Sequence, residues 1–193
     1  MSVETDGVEL VGDETVENIA RAAVFAALTG AMAYVSFPNP VSPVPVTMQV
    51  LGVFLAGLYL GPVWGGASMS LYVAAGAVGA PIYAGGGAGL GSLLGPFGGY
   101  LWAYPVAAAL TGLVAHGTSG LVDPRQVGVP RLVAAMVAGT VLIYAGGTVG
   151  YAVVENVGLV KAFGLAAAAF IPAEAFKIAA AIGITRSDQL NAA

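Results

Sequence analysis

The chain has no cysteine and one histidine, His116. Without cysteine there is no disulfide, no iron–sulfur cluster and no thiolate zinc site. A lone histidine cannot build a multi-histidine metal centre, so neither a metal nor a cofactor is expected. Charge is scarce too: Lys+Arg 6 and Asp+Glu 10 make up 8% of 193 residues. A soluble domain carries about 25%. Six cations and a pI near 4.7 provide no basic face, which excludes nucleic acid as a partner. The pattern G-x-x-x-x-G-K-[ST] is missing, so any ATP-driven step falls to another subunit. No nucleophile–base pair stands out, and the chain reads as a non-enzyme.

What the chain has instead is apolar bulk: 58% hydrophobic residues and a mean hydropathy of +0.88. Between Arg21 and Asp123 there is no Asp, Glu, Lys or Arg. Such an interval needs lipid or protein around it, which indicates an all-α integral membrane protein. Met1 to Ala20 carries Glu4, Asp6, Glu9, Asp13, Glu14 and Glu17 and no cation, unlike the basic start of a signal peptide. Residues 1–17 read as a solvated acidic tail, disordered to about Thr15. Residues 18–187 form the membrane domain, and 188–193 a short C-terminal tail.

Proline and glycine punctuate the membrane part. Expected spans are Ile19–Phe37, Val46–Leu60, Val63–Gly79, Tyr100–Ala115, Leu132–Tyr151 and Ala162–Ile184, six in one bundle, with five as the alternative if the short Val46–Leu60 does not cross. Pro38, Pro40, Pro43 and Pro45 make the first connection an ordered loop. Ala80–Gly99, with eight glycines from Gly85 to Gly99, is the second structured loop. Gly117–Pro130 is a polar connection, and Val153–Lys161 is interfacial. With six spans, Arg21, Arg125, Arg131 and Arg186 share one side and Lys161 lies on the other. The positive-inside rule then puts both termini in the cytoplasm and the two structured loops outside, as a lid over a pocket.

Glu174 and Lys177 enter the last span. Each ionisable group there costs roughly 2.5–3.5 kcal/mol on insertion scales, so such groups persist when they pair or do work. At i and i+3 they share one helical face. A self-neutralising pair explains the pairing but not its presence, whereas a polar ligand explains both. Thr47 and Gln49 open the second span as hydrogen-bonding candidates; helix capping and a bundle hydrogen bond are the plainer alternatives. The glycines around Gly85 and Gly86 let backbone approach a ligand. Tyr83, Phe97, Tyr100, Trp102 and Tyr104 are candidate walls for an apolar ring. In the first span small residues recur every fourth position, as Ala22/Ala26/Gly30 and as Ala23/Ala27/Ala31, suited to close packing inside the chain or against a partner. His116 ends the fourth span and reads as interfacial.

Several motifs together resemble the BioY family. Pro43-Val44-Pro45-Val46-Thr47-Met48-Gln49-Val50-Leu51-Gly52-Val53 is similar to that family's "PxPxTxQ-LGV" segment. Leu58-Tyr59-Leu60-Gly61-Pro62, Gly79-Ala80-Pro81-Ile82-Tyr83-Ala84-Gly85-Gly86-Gly87 and Leu94-Gly95-Pro96-Phe97-Gly98-Gly99-Tyr100 follow in order. Ile171-Pro172-Ala173-Glu174-Ala175-Phe176-Lys177 resembles its "P-G-D-x-x-K", with Glu in place of Asp. The resemblance spans about residues 20–185. It implies a six-helix, biotin-specific S component of an energy-coupling factor transporter, working with a T component and two ABC-type ATPases. It carries ligand binding onto Glu174 and Lys177, and the T-component contact onto Ala23, Ala27 and neighbours. Some members have a polar residue where this chain has Gly85–Gly87, so that contact is either absent or made by backbone. An S component for another vitamin and a non-transporting membrane scaffold are the alternatives.

Overall fold

The computed structural model describes residues 12–118 and 120–187; the rest of the acidic tail, and the C-terminal tail after 187, lie outside them. The architecture follows from where helices break. Helix α1 (Asp13–Ala33) starts inside the expected tail. It ends four residues before the expected limit, because Ser36–Phe37 enters a strand, β1. β1 pairs antiparallel with β2 (Val46–Thr47), in the register Ser36↔Thr47 and Phe37↔Val46. This two-stranded clasp, not expected from the sequence, closes the proline-rich loop.

Helix α2 (Gln49–Ala77) is continuous in chain but folded in space. Gly61 has φ 73 and ψ −172, a left-handed conformation that favours glycine, and Pro62 follows. The two arms therefore run antiparallel: Gln49 Nε2 donates to the Tyr72 hydroxyl at 2.5 Å across the hairpin. The arms are the expected second and third spans. A connection with a short helix, α3 (Leu90–Leu94), leads to α4 (Gly98–His116), then α5 (Val129–Val154), α6 (Leu159–Ala166) and α7 (Ile171–Arg186). α6 and α7 together form the last rod, so the bundle has the six rods expected.

Among the described residues, four segments are long and apolar enough to cross a bilayer: α2, α4, α5 and Leu159–Arg186. α1 is less apolar because Asp13, Glu14, Glu17 and Arg21 occupy its first turns; Glu17 and Arg21 pair at 2.6 Å. Its Ala22, Ala26 and Gly30 face is buried, and Ser68 Oγ donates to the Ala22 carbonyl at 2.7 Å. At one end of the bundle lie the start of α1, the Gly61 fold, the α4–α5 connection and the end of α7. There Arg186 donates to the carbonyls of Arg125 and Val127. At the other end lie the proline-rich and glycine-rich loops, tied by the Tyr34 hydroxyl to the Pro81 carbonyl at 2.5 Å.

His116, at the end of α4, is buried within the protein, 3% exposed. In a helix the Leu58 carbonyl would accept from the amide four residues on. That residue is Pro62, which has no N–H. His116 Nε2 takes the place, 2.9 Å from the Leu58 oxygen. Its Nδ1 accepts the Val122 amide at 3.2 Å, which assigns the ring proton to Nε2. One ring thus ties the α2 fold to the α4–α5 connection. His116→Ala leaves a buried carbonyl and an amide unpaired, at a cost of about 1–3 kcal/mol. The expected result is a lower unfolding temperature in detergent with helicity by circular dichroism retained; an unchanged temperature contradicts this role.

Candidate functional site

The last rod is not one continuous helix, contrary to expectation. α6 stops at Ala166, a 3-10 turn spans Ala168–Phe170, and α7 begins at Ile171 with Pro172 in its first turn. Pro172 fixes the helical φ where no amide donor is needed. The break releases carbonyls that lipid cannot satisfy. Three side chains from elsewhere take them: Ser42 Oγ donates to Leu165 at 2.6 Å, Asn39 Nδ2 to Ala169 at 3.4 Å, and the Tyr100 hydroxyl to Ala166. The proline-rich loop and α4 are thereby fastened to the break.

The break also places Glu174 in the first turn of α7, at the positive end of the helix dipole. Glu174 and Lys177 are 3% and 2% exposed. Lys177 Nζ lies 2.5 Å from Glu174 Oε1, and the Tyr144 hydroxyl donates to the same oxygen at 2.7 Å. Glu174 Oε2 takes no hydrogen bond among the described residues.

A cavity of about 240 Å³ lies against this pair. The proline-rich loop contributes Val44 and Pro45; the glycine-rich loop contributes Tyr83, Ala84, Gly87, Gly91, Ser92, Gly95, Pro96 and Phe97. Thr47, Gln49 and Val50 enter from the start of α2, Tyr100, Leu101 and Tyr104 from α4, Tyr144 from α5, and Phe170 and Lys177 from the last rod. Both expected loops therefore wall the cavity. Tyr144 stacks on Phe170 at 5.9 Å and meets Tyr100 edge-on at 6.1 Å. Tyr100 has room only because residue 147 is glycine: a Cβ there would lie 2.2 Å from the ring. Tyr83 donates its hydroxyl to the Val73 carbonyl at 2.5 Å, and burial raises its pKa above the ordinary value.

Of the residues singled out in the sequence, Thr47, Gln49, Tyr83, Tyr100 and Lys177 meet at the cavity, and Glu174 stands directly behind its wall. Thr47 is not a helix cap: it sits in β2 and donates to Gln49 Oε1 at 2.8 Å, joining a chain that runs on to Tyr72 and the Ile82 carbonyl. Gly85 and Gly86 have positive φ and shape the turn whose Ala84 and Gly87 line the cavity. Trp102 points outward, 58% exposed, with its indole N–H on the Leu93 carbonyl. Tyr144 and Phe170 were missed. Tyr144 lies 30 residues from Glu174, a separation that carries no local signal. Ala23, Ala27 and Ala31 are exposed on α1, whereas Ala22, Ala26 and Gly30 are buried.

A bundle of broken helices, with a largely apolar cavity carrying six aromatic rings beside a buried ion pair and beneath two ordered loops, defines a membrane protein built to hold a small solute. The model of the BioY family matches residues 4–191. The chain is 35% identical over 178 residues to a "Probable biotin transporter BioY" of Bacillus subtilis, covering 88% of this chain and 90% of that one. A local match to a protein of the same description from Pyrococcus horikoshii is 43% identical over 97 residues, 50% of this chain and 59% of that one. A crystal structure of the S-component for biotin from an ECF-type ABC transporter superposes with a TM-score of 0.80 at 25% identity, covering 92% and 93% of the two chains. The chain belongs to the BioY family.

Removing one member of the buried pair strands the other. Lys177→Met leaves the Glu174 carboxylate buried without its cation, and the expected loss is about 3–5 kcal/mol of stability. Adding Glu174→Gln should restore most of it, since the amide keeps hydrogen bonding without charge. Chemical denaturation of the single and double variants in detergent checks this. Equal stability of the two variants contradicts the pairing.

Proposed function

We propose that the chain is the biotin-binding S component of an energy-coupling factor transporter. It captures biotin at the outer face of the cell membrane and delivers it inward together with a T component and two ABC-type ATPases. The carrying observation is the buried Glu174–Lys177 pair set behind and within an aromatic cavity wall. Biotin offers what that wall complements: a ureido group with two N–H donors and one carbonyl acceptor, apolar fused rings, and a carboxylate on a flexible chain. Tyr100, Tyr104, Tyr144 and Phe170 suit the rings, and Lys177 suits an oxygen acceptor. Family membership and the biotin relatives support the same reading.

Both termini are cytoplasmic in this reading. Arg21, Arg125, Arg131 and Arg186 gather at the end opposite the cavity loops, with Lys161 alone on the cavity side. The exposed Ala23, Ala27 and Ala31 ridge on α1 is the contact for the T component. Its opposite face is already occupied by packing within the chain, and small residues let a second helix approach closely.

Calorimetric titration of the purified chain with biotin is expected to give one-to-one binding. Glu174→Gln/Lys177→Met, expected to keep its fold, is expected to lose it. Equal displacement of biotin by thiamine or riboflavin would assign the site to another vitamin, and unchanged binding in the double variant would place the ligand elsewhere. For the α1 ridge, Ala27→Trp should impair biotin uptake by cells and co-purification of the partner subunits while biotin binding to the isolated chain is preserved. Loss of binding in that variant would indicate that the ridge serves internal packing.

A further inference from the structure

We infer that the acceptor meeting a ligand N–H is the Tyr144 hydroxyl, with Glu174 acting through it from behind the cavity wall. This rests on the biotin reading above and assigns a specificity-determining role to a residue outside the motifs that carry the family resemblance. Tyr144 and Lys177 line the cavity; Glu174 does not, and its unpartnered Oε2 is sealed from solvent. The pair's carboxylate therefore reaches the cavity through the two side chains that hold it.

The proton inventory decides what those side chains present. A phenol has one proton and two lone pairs. Tyr144 commits its proton to Glu174 Oε1 at 2.7 Å, so toward the cavity its oxygen is an acceptor only. Donation to a carboxylate polarises the phenol and strengthens that acceptor. Lys177 gives one N–H to the same Oε1 at 2.5 Å and keeps two donors and no acceptor. The wall thus sets one acceptor-only oxygen beside one donor-only ammonium, both oriented by a single carboxylate oxygen. A cyclic urea carries N–H beside C=O, the complementary arrangement. The Tyr144 ring is held between Phe170 and Tyr100, so its hydroxyl is placed before any ligand arrives.

The test is a double-mutant cycle read by calorimetry with biotin. Tyr144→Phe keeps the ring and removes only the oxygen, and biotin affinity should fall about tenfold. Glu174→Gln alone should weaken binding, and in the Tyr144→Phe background its further loss should be clearly smaller than in the wild type, because only the part that passes through Lys177 remains. A purely structural role is separated by a second probe, biotin methylated at both ureido nitrogens. The wild-type chain should discriminate against it, and Tyr144→Phe should bring the two affinities closer. Tyr144→Phe binding biotin as the wild type does, or Glu174→Gln retaining its full effect in that background, overturns the inference and leaves the biotin reading intact. A wild-type chain that does not bind biotin overturns both.

Discussion

Inside a bilayer a broken helix leaves backbone carbonyls that no water can reach, and this structure is organised around supplying their donors. Two breaks matter. At Gly61–Pro62 the missing proline amide orphans the Leu58 carbonyl, and His116 fills the gap. At residues 167–170 three carbonyls are released and are taken by Ser42, Asn39 and Tyr100. The first repair fastens the end of the bundle where α1 starts and α7 ends. The second fastens the proline-rich loop and α4 to the last rod. The repairs therefore set the shape of both ends, and the cavity lies at the second.

The same break that frees carbonyls creates the helix start on which Glu174 sits. A carboxylate in the first turn of α7 gains from the helix dipole, from Lys177 one turn on and from the Tyr144 hydroxyl. A continuous helix would place the charge mid-span, without the dipole's positive end beside it. Discontinuous helices near ligand sites recur in transporters for this reason. The cost of burying two charges is met locally, and the pair keeps Lys177 directed into an otherwise uncharged cavity.

Much of this was legible in the sequence because its causes are local. Four closely spaced prolines require a loop, Gly61-Pro62 requires a turn, and charges three apart on a helix share a face. Small residues at fourfold spacing in α1 mark two faces, though not which one turns outward; packing of Ala22, Ala26 and Gly30 against α2 left Ala23, Ala27 and Ala31 exposed. The strand pair Ser36–Phe37 with Val46–Thr47 was hidden, since two-residue strands carry no periodicity. The break before Ile171 was hidden as well. Four successive alanines are good helix formers, yet α6 stops at the first of them, and hydrogen bonds from distant side chains take the carbonyls around the break.

By itself the sequence determined the membrane class, the number of rods, the places where loops must be ordered and the two charges that enter a span. These follow from desolvation and backbone chemistry within a few residues. Only the tertiary structure decided which side chains meet those charges, that His116 is buried as a backbone donor, and that Tyr144 stands between Glu174 and the cavity. Those pairings join residues tens of positions apart, and no local preference encodes which helix faces will be brought together when the rods pack.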